Sequence, residues 1–126
     1  MASSVSHDSH NIIAVGTSDN EIISAITMVV KNKGAMVALN GKEEVCLPLS
    51  LAGLMSELPF ENVYKGLESI HHLTKACGAI KDPFMYLSFL ALSVIPELRV
   101  TTKGVFDVNI FSNVPLFMDE EKPADT

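Results

Sequence analysis

Four apolar residues without a polar break, Ile12–Val15, run straight into Gly16 and then a helix start. No other stretch limits the fold as much. A continuous apolar run, unlike an alternating one, suits a strand buried on both faces, so Asn11–Gly16 is expected to be such a strand. Ser18 and Glu21 have the S-x-x-E spacing of a capping box, which satisfies free N–H groups of the first helical turn. Asp19 adds negative charge where the helix dipole favours it. The helix that follows is expected to place Ile22, Ile23, Ile26, Val29 and Val30 along one stripe. Lys31 and Lys33 suit its C-terminal end, and Gly34 suits the left-handed cap position.

The remaining chain continues in mixed order. Ala35–Leu39 reads as a short strand, and Asn40-Gly41 as a two-residue hairpin turn. The return strand is expected over about Glu43–Leu47, ended by Pro48, which has no N–H to donate. Leu49–Leu58 reads as a loop with one or two helical turns. Pro59 is well placed to begin a second helix. There Val63, Tyr64, Leu67, Ile70, His71 and Thr74 recur at helical spacing, with Leu73 and Ala76 widening the face and Gly78 at the end. Phe84–Ile95 is the most hydrophobic segment and is expected to be a buried strand. Leu98–Thr101 and Val105–Val108 alternate around Thr102-Lys103-Gly104, a second hairpin. The sum is a single α+β or mixed α/β domain. Its mixed or mainly antiparallel sheet should have about five to six strands, with two main helices packed on it. Residues 1–5 carry no apolar pattern and are expected to trail free, 6–117 to form the domain, and 118–126 to be a disordered acidic tail.

Composition excludes several classes of function. The net charge of −6 comes with no basic stripe, which argues against nucleic acid as partner. No apolar run approaches the ~18 residues that span a bilayer. The first ten residues have no basic and apolar regions of a secretion signal. Cys46 and Cys77 fit neither a CxxC pair nor a disulfide framework, which suggests reduced thiols in a cytoplasmic protein. Hydrophobic residues make up 48% of the chain, with a mean hydropathy of +0.30. That is high for a small soluble domain and points to apolar surface meant for a partner.

The candidate chemistry lies just ahead of the first apolar run. His7, Asp8, Ser9, His10 and Asn11 stand together, and such a polar cluster at the edge of a rigid element can bind or position a ligand. As metal ligands they are incomplete. A catalytic zinc-type site needs three convergent protein ligands, and neighbouring residues of an extended chain point to opposite faces. A metal site, a contribution to a site completed elsewhere, and a structural polar turn all remain open on these residues. His71 and His72 lack a partner at helical metal spacing, and one is expected to face inward. No nucleophile elbow, GxGxxG, P-loop or HExxH occurs. Gly16-Thr17-Ser18 is a weak anion-site pattern.

Three segments, HDSHNIIAVGT (7–17), LPLSLAGLMS (47–56) and DPFMYLSFLALSVIPELRVTTKGVFDV (82–108), together resemble the C-terminal domain of adenine deaminase, in the metal-dependent amidohydrolase superfamily. Members of that family usually have Ala where Ser6 stands and Pro where Ser93 stands. Neither departure touches the HDSHN cluster. The resemblance implies a full-length enzyme of purine salvage that deaminates adenine to hypoxanthine and ammonia. It implies a preceding (β/α)₈ barrel as partner, holding a divalent manganese or iron whose bound hydroxide attacks the amino-bearing carbon. A barrel needs ~200 residues or more, so it has no room in this chain. This segment is then expected to bind no cofactor and to be inactive alone. His7, Asp8, Ser9, His10 and Asn11 would border the active-site mouth, with no catalytic or metal-ligating residue of their own. Homo-oligomerisation stays open. The alternatives are a stand-alone purine-binding or oligomerisation module, and a small metallohydrolase using His7, Asp8 and His10.

Overall fold

The computed structural model describes residues 1–117. The expected tail over 118–126 lies outside the described residues. The first surprise is at the start. Ala2–Ser3 forms strand β1, which lies inside a four-stranded antiparallel sheet of order β2-β1-β3-β4. Its neighbours are β2 (Ile13–Ala14) and β3 (Ala35–Leu39), and β4 (Glu44–Pro48) closes the far edge. Ala2 pairs with Ala14 on one side and Val37 on the other. Ala2, Ser3 and Ser4 are all buried. The expectation that residues 1–5 trail free is therefore corrected. Small side chains carry no hydrophobic signal, yet small size is what a strand wedged between two others tolerates.

Ser4 continues the attachment beyond the ladder. Its N–H donates to the Ala35 carbonyl at 3.1 Å, and its hydroxyl accepts from the Ala35 N–H at 3.0 Å. The same hydroxyl donates to the Gly53 carbonyl at 2.6 Å. A buried polar side chain is tolerable here because each of its partners is a backbone group that would otherwise be orphaned.

Helices cover both faces of this sheet. Helix α1 (Asp19–Lys31) lies on the face presented by Ala2, Ala35, Val37 and Cys46, against which it buries Ala25 and Val29. Helix α2 (Phe60–Ala76) lies on the opposite face, presented by Ala38, Val45 and Leu47, and buries Ile70 and Leu73. The period of two along β3 and β4 sorts successive residues to the two helices. Full burial of Val29 or Ile70 contributes about 1.5–3 kcal/mol each.

The ends of these elements follow local rules. Ser18 caps α1, its hydroxyl accepting from the Glu21 N–H, while the Glu21 carboxylate accepts from the Thr17 hydroxyl instead of closing the box. At the other end Lys33 N–H donates to Val30 O and Gly34 N–H to Val29 O. That pairing places Lys33, at φ +56°, in the left-handed cap position expected for Gly34. Gly34 follows with φ +126°. A Cβ there would stand 2.3 Å from the Gly53 Cα and 2.9 Å from the Leu49 carbonyl oxygen. The stripe on α1 is also narrower than expected. Ile23 and Val30 are exposed, and Ala25 takes the inner position.

Other expectations shift by one step. Asn11–Gly16 is not a strand buried on both faces. Only Ile13–Ala14 pairs, at the sheet edge, and Ile12 and Val15 face outward at 40% and 44% exposure. In the first hairpin Gly41-Lys42 is the central pair, and the Asn40 side chain accepts from the N–H groups of Lys42 and Glu43. Leu49–Leu58 holds no helical turn. Leu51 and Met55 exchange two backbone bonds around Ala52-Gly53-Leu54, and Ala52 and Gly53 have positive φ.

The largest correction concerns Phe84–Ile95. It is not a strand: helix α3 (Pro83–Phe89) is followed by turns. Pro83 opens this helix, and Pro83, Phe84 and Leu87 are its buried side. The run is rich in Phe and Leu and β-branched only at its end, so periodicity alone could not separate the two states. The second hairpin is present as β5 (Leu98–Thr101) and β6 (Gly104–Asp107), extended by β7 (Ser112–Val114) into a separate antiparallel sheet. The class is thus α+β, with three helices and two sheets rather than two helices on one.

Candidate functional site

The cluster His7–Asn11 lies on the connection from β1 to β2, at the end of α3. Its shape is set by backbone bonds. Ser9 N–H donates to His7 O at 2.8 Å, closing a three-residue turn centred on Asp8, whose φ is +62°. His10 N–H donates to Ser6 O at 2.9 Å, and His10 also has positive φ, +48°. Two non-glycine residues in the left-handed region within three positions are uncommon, although Asp and His enter it more readily than most. The turn is fastened from outside by His7 N–H donating to Ser88 O at 3.3 Å. The His7 ring meets Phe89 with centroids 5.3 Å apart and planes at 37°.

These bonds use main-chain groups, so the side chains stay free to act. His7, Asp8, Ser9, His10 and Asn11 are all exposed. His7 Nδ1 lies 3.5 Å from Asp8 Oδ1, with the two side chains 49% and 77% exposed. At such exposure an ion pair contributes little to stability. Ser6, fully buried beneath the turn, has its hydroxyl 3.3 Å from that of Ser9.

The turn forms one wall of a cleft of about 370 Å³. Ser6, Ser9 and Asn11 stand on one side, and Val100, Thr101 and Thr102 of β5 and its turn stand on the other. The lining mixes hydroxyls and an amide with the aliphatic side chains of Ile13 and Val100, which suits a small uncharged polar molecule or a polar loop. The structure thus brings Ser9 and Asn11 to one cleft, while His7, Asp8 and His10 are not among its lining residues. Among the described residues no three His, Cys, Asp or Glu side chains gather as a metal ion requires. The donor set of this turn therefore does not fit a divalent metal.

Several participants carried no signal in the sequence. Ser88 and Phe89, which hold the turn, and Val100–Thr102, which face it, lie some eighty or more positions away in the chain. Only the folding of α3 against β2 brings them near. Conversely, His71 and His72 are both exposed on α2, so the expectation that one faces inward is corrected. Cys46 packs beside the α1 layer, and burial pushes its thiol pKa up. Neither it nor the exposed Cys77 lines the cleft. No helix among the described residues is long and apolar enough to cross a membrane.

Comparison with known proteins adds what the geometry cannot. The family model described as "Adenine deaminase C-terminal domain" matches residues 1–112. A protein named adenine deaminase from Methanoculleus marisnigri is 53% identical over 117 residues, covering 93% of this chain and 23% of that protein. One of the same name from Methanoregula boonei is 51% identical over 117 residues, covering 93% of this chain and 21% of that protein. A third, from Bacillus licheniformis, is 44% identical over 119 residues, covering 92% and 21%. The chain spans about a fifth of the length of these relatives.

Proposed function

The chain belongs to the adenine deaminase C-terminal domain family, and on that premise we propose that it is the accessory domain of an enzyme that hydrolyses adenine to hypoxanthine and ammonia. The catalytic centre belongs to a preceding (β/α)₈ barrel of the same polypeptide, where a divalent ion, manganese or iron, activates water. This chain performs no bond-breaking step. Its part is to brace and border the mouth of that centre with the His7–Asn11 turn. The setting is purine salvage in the cytoplasm.

One observation carries this reading. The turn is locked by backbone bonds to Ser6 and Ser88 and by the Phe89 ring, while its five polar residues stay exposed, Ser9 and Asn11 on the cleft. Rigid support beneath unspent polar groups is the arrangement that positions a bound molecule, since little freedom remains to be lost on contact. A turn serving only to connect β1 to β2 would not need two left-handed residues held in place by a helix from elsewhere in the chain.

The test uses the complete enzyme. His7→Ala and His10→Ala are each expected to lower kcat/KM for adenine by about tenfold, which corresponds to roughly 1.4 kcal/mol of lost transition-state stabilisation. Unchanged kcat and KM in both variants would remove the turn from the site. The isolated 126-residue chain is expected to release no ammonia from adenine.

A further inference from the structure

An apolar groove of about 260 Å³ opens beside residue 1. Of its lining, Leu87 of α3 is buried and Met1 half-buried. Around them Val15, Ile80, Tyr86 and Leu90 are 44%, 61%, 54% and 43% exposed. Single exposed apolar residues are ordinary on a protein surface, but here they are contiguous and line one depression almost without polar atoms.

Two further facts say what covers it. The matched part of each relative is its C-terminal domain and only about a fifth of its length. In those relatives the remaining polypeptide lies ahead of the matched part, and the residue that would receive it here, Met1, lines this groove. The second fact is continuity. Helix α3 presents Tyr86 and Leu87 to the groove, while the next two residues, Ser88 and Phe89, hold His7. A body seated in the groove is therefore brought alongside the polar turn across a single short helix.

We infer that this groove is the docking face for the preceding domain of the same polypeptide. That domain would insert apolar side chains of its outer surface between Ile80, Tyr86 and Leu90. The inference rests on the accessory-domain reading above and deepens it by naming the surface through which the two bodies meet. Docking there fixes the distance between the His7–Asn11 turn and the catalytic domain, which a free linker would leave variable. The exposed Ile23 and Val30, on α1 across the sheet, stay outside the contact.

The experiment places a photoreactive benzophenone amino acid at position 86 of the complete polypeptide, and separately at position 23. The products are mapped by mass spectrometry. Position 86 is expected to form a crosslink within one polypeptide, to residues ahead of residue 1, and position 23 to form none. Covalent dimers through position 86 would assign the groove to a second copy and overturn the inference. So would equal crosslinking from both positions, no crosslink from either, or a complete polypeptide with no preceding domain. Deaminase activity of the same preparations, measured before irradiation, separates the two claims. An active enzyme without the crosslink sinks the docking face alone, and the crosslink in an inactive polypeptide sinks the proposed function alone.

Discussion

Gly34 shows how much of this fold is decided by single residues. It follows the α1 cap, accepts the Leu49 N–H at its carbonyl (2.9 Å), and lies against Gly53, whose carbonyl holds the Ser4 hydroxyl. Gly34→Ala is expected to destabilise the chain by about 3 kcal/mol or more, because both its φ and its neighbours reject a Cβ. Gly41→Ala is the contrast. Its φ is +80°, but nothing lies within 4 Å of an added Cβ. It should cost only about 1 kcal/mol, the backbone term alone. Urea midpoints of the two variants check this, and equal shifts would show that the Gly34–Gly53 contact yields easily. The sequence assigns one to a helix cap and the other to a hairpin turn, but it does not say which of them lacks room for a Cβ. Both follow a polar residue at the end of an element, and only the partner from the Ser50–Met55 turn makes one of them irreplaceable.

Elements were legible to the extent that their signals were local. The serine cap of α1, the start of α2 at Pro59, the existence of both hairpins (the first with its turn one residue later than expected) and the α+β class stand, because each depends on residues within a few positions. Three elements depend on distant partners, and their local signals point the wrong way. The Phe84–Ile95 run has the hydrophobicity of a buried segment, which a helix shares with a strand. Ile12–Val15 looked like a central strand, but two of its four side chains face outward, where Val15 lines the groove at residue 1. Strand β1 has only alanine and serine to announce it. Its position yields a prediction: removal of residues 1–4 takes away the strand that joins β2 to β3 and the serine that ties β3 to the Gly53 turn. Such a chain is expected to lose its cooperative urea transition and the dispersion of its amide NMR spectrum. A cooperative transition with the same midpoint would show β1 to be dispensable.

At the scale of the whole molecule, stability is unevenly shared. The four-stranded sheet has a helix layer on each face, whereas β5, β6 and β7 leave Leu98, Val100, Ile110 and Phe111 at 54%, 57%, 65% and 72% exposure. Among the described residues few backbone bonds, such as Val100 N–H to Leu90 O at 2.9 Å, tie this second sheet to the rest. Amides over 98–114 are expected to exchange with solvent at least about a hundredfold faster than those of 35–48, through local opening. Equal protection would make the molecule one cooperative unit. The candidate site spans this division, since its cleft has the His7–Asn11 turn on the firm part and Thr101 and Thr102 on the loose part. The sequence located the first wall and was silent on the second, because the pairing of residues 6–13 with 100–102 is a product of chain packing, not of any motif. The central place of β1 has one more consequence, in time. During synthesis Ala2 and Ser3 leave the ribosome well before their second partner strand, around Val37, which follows more than thirty residues later. A nascent chain halted in between would carry a raw sheet edge at the point where the finished protein has its middle.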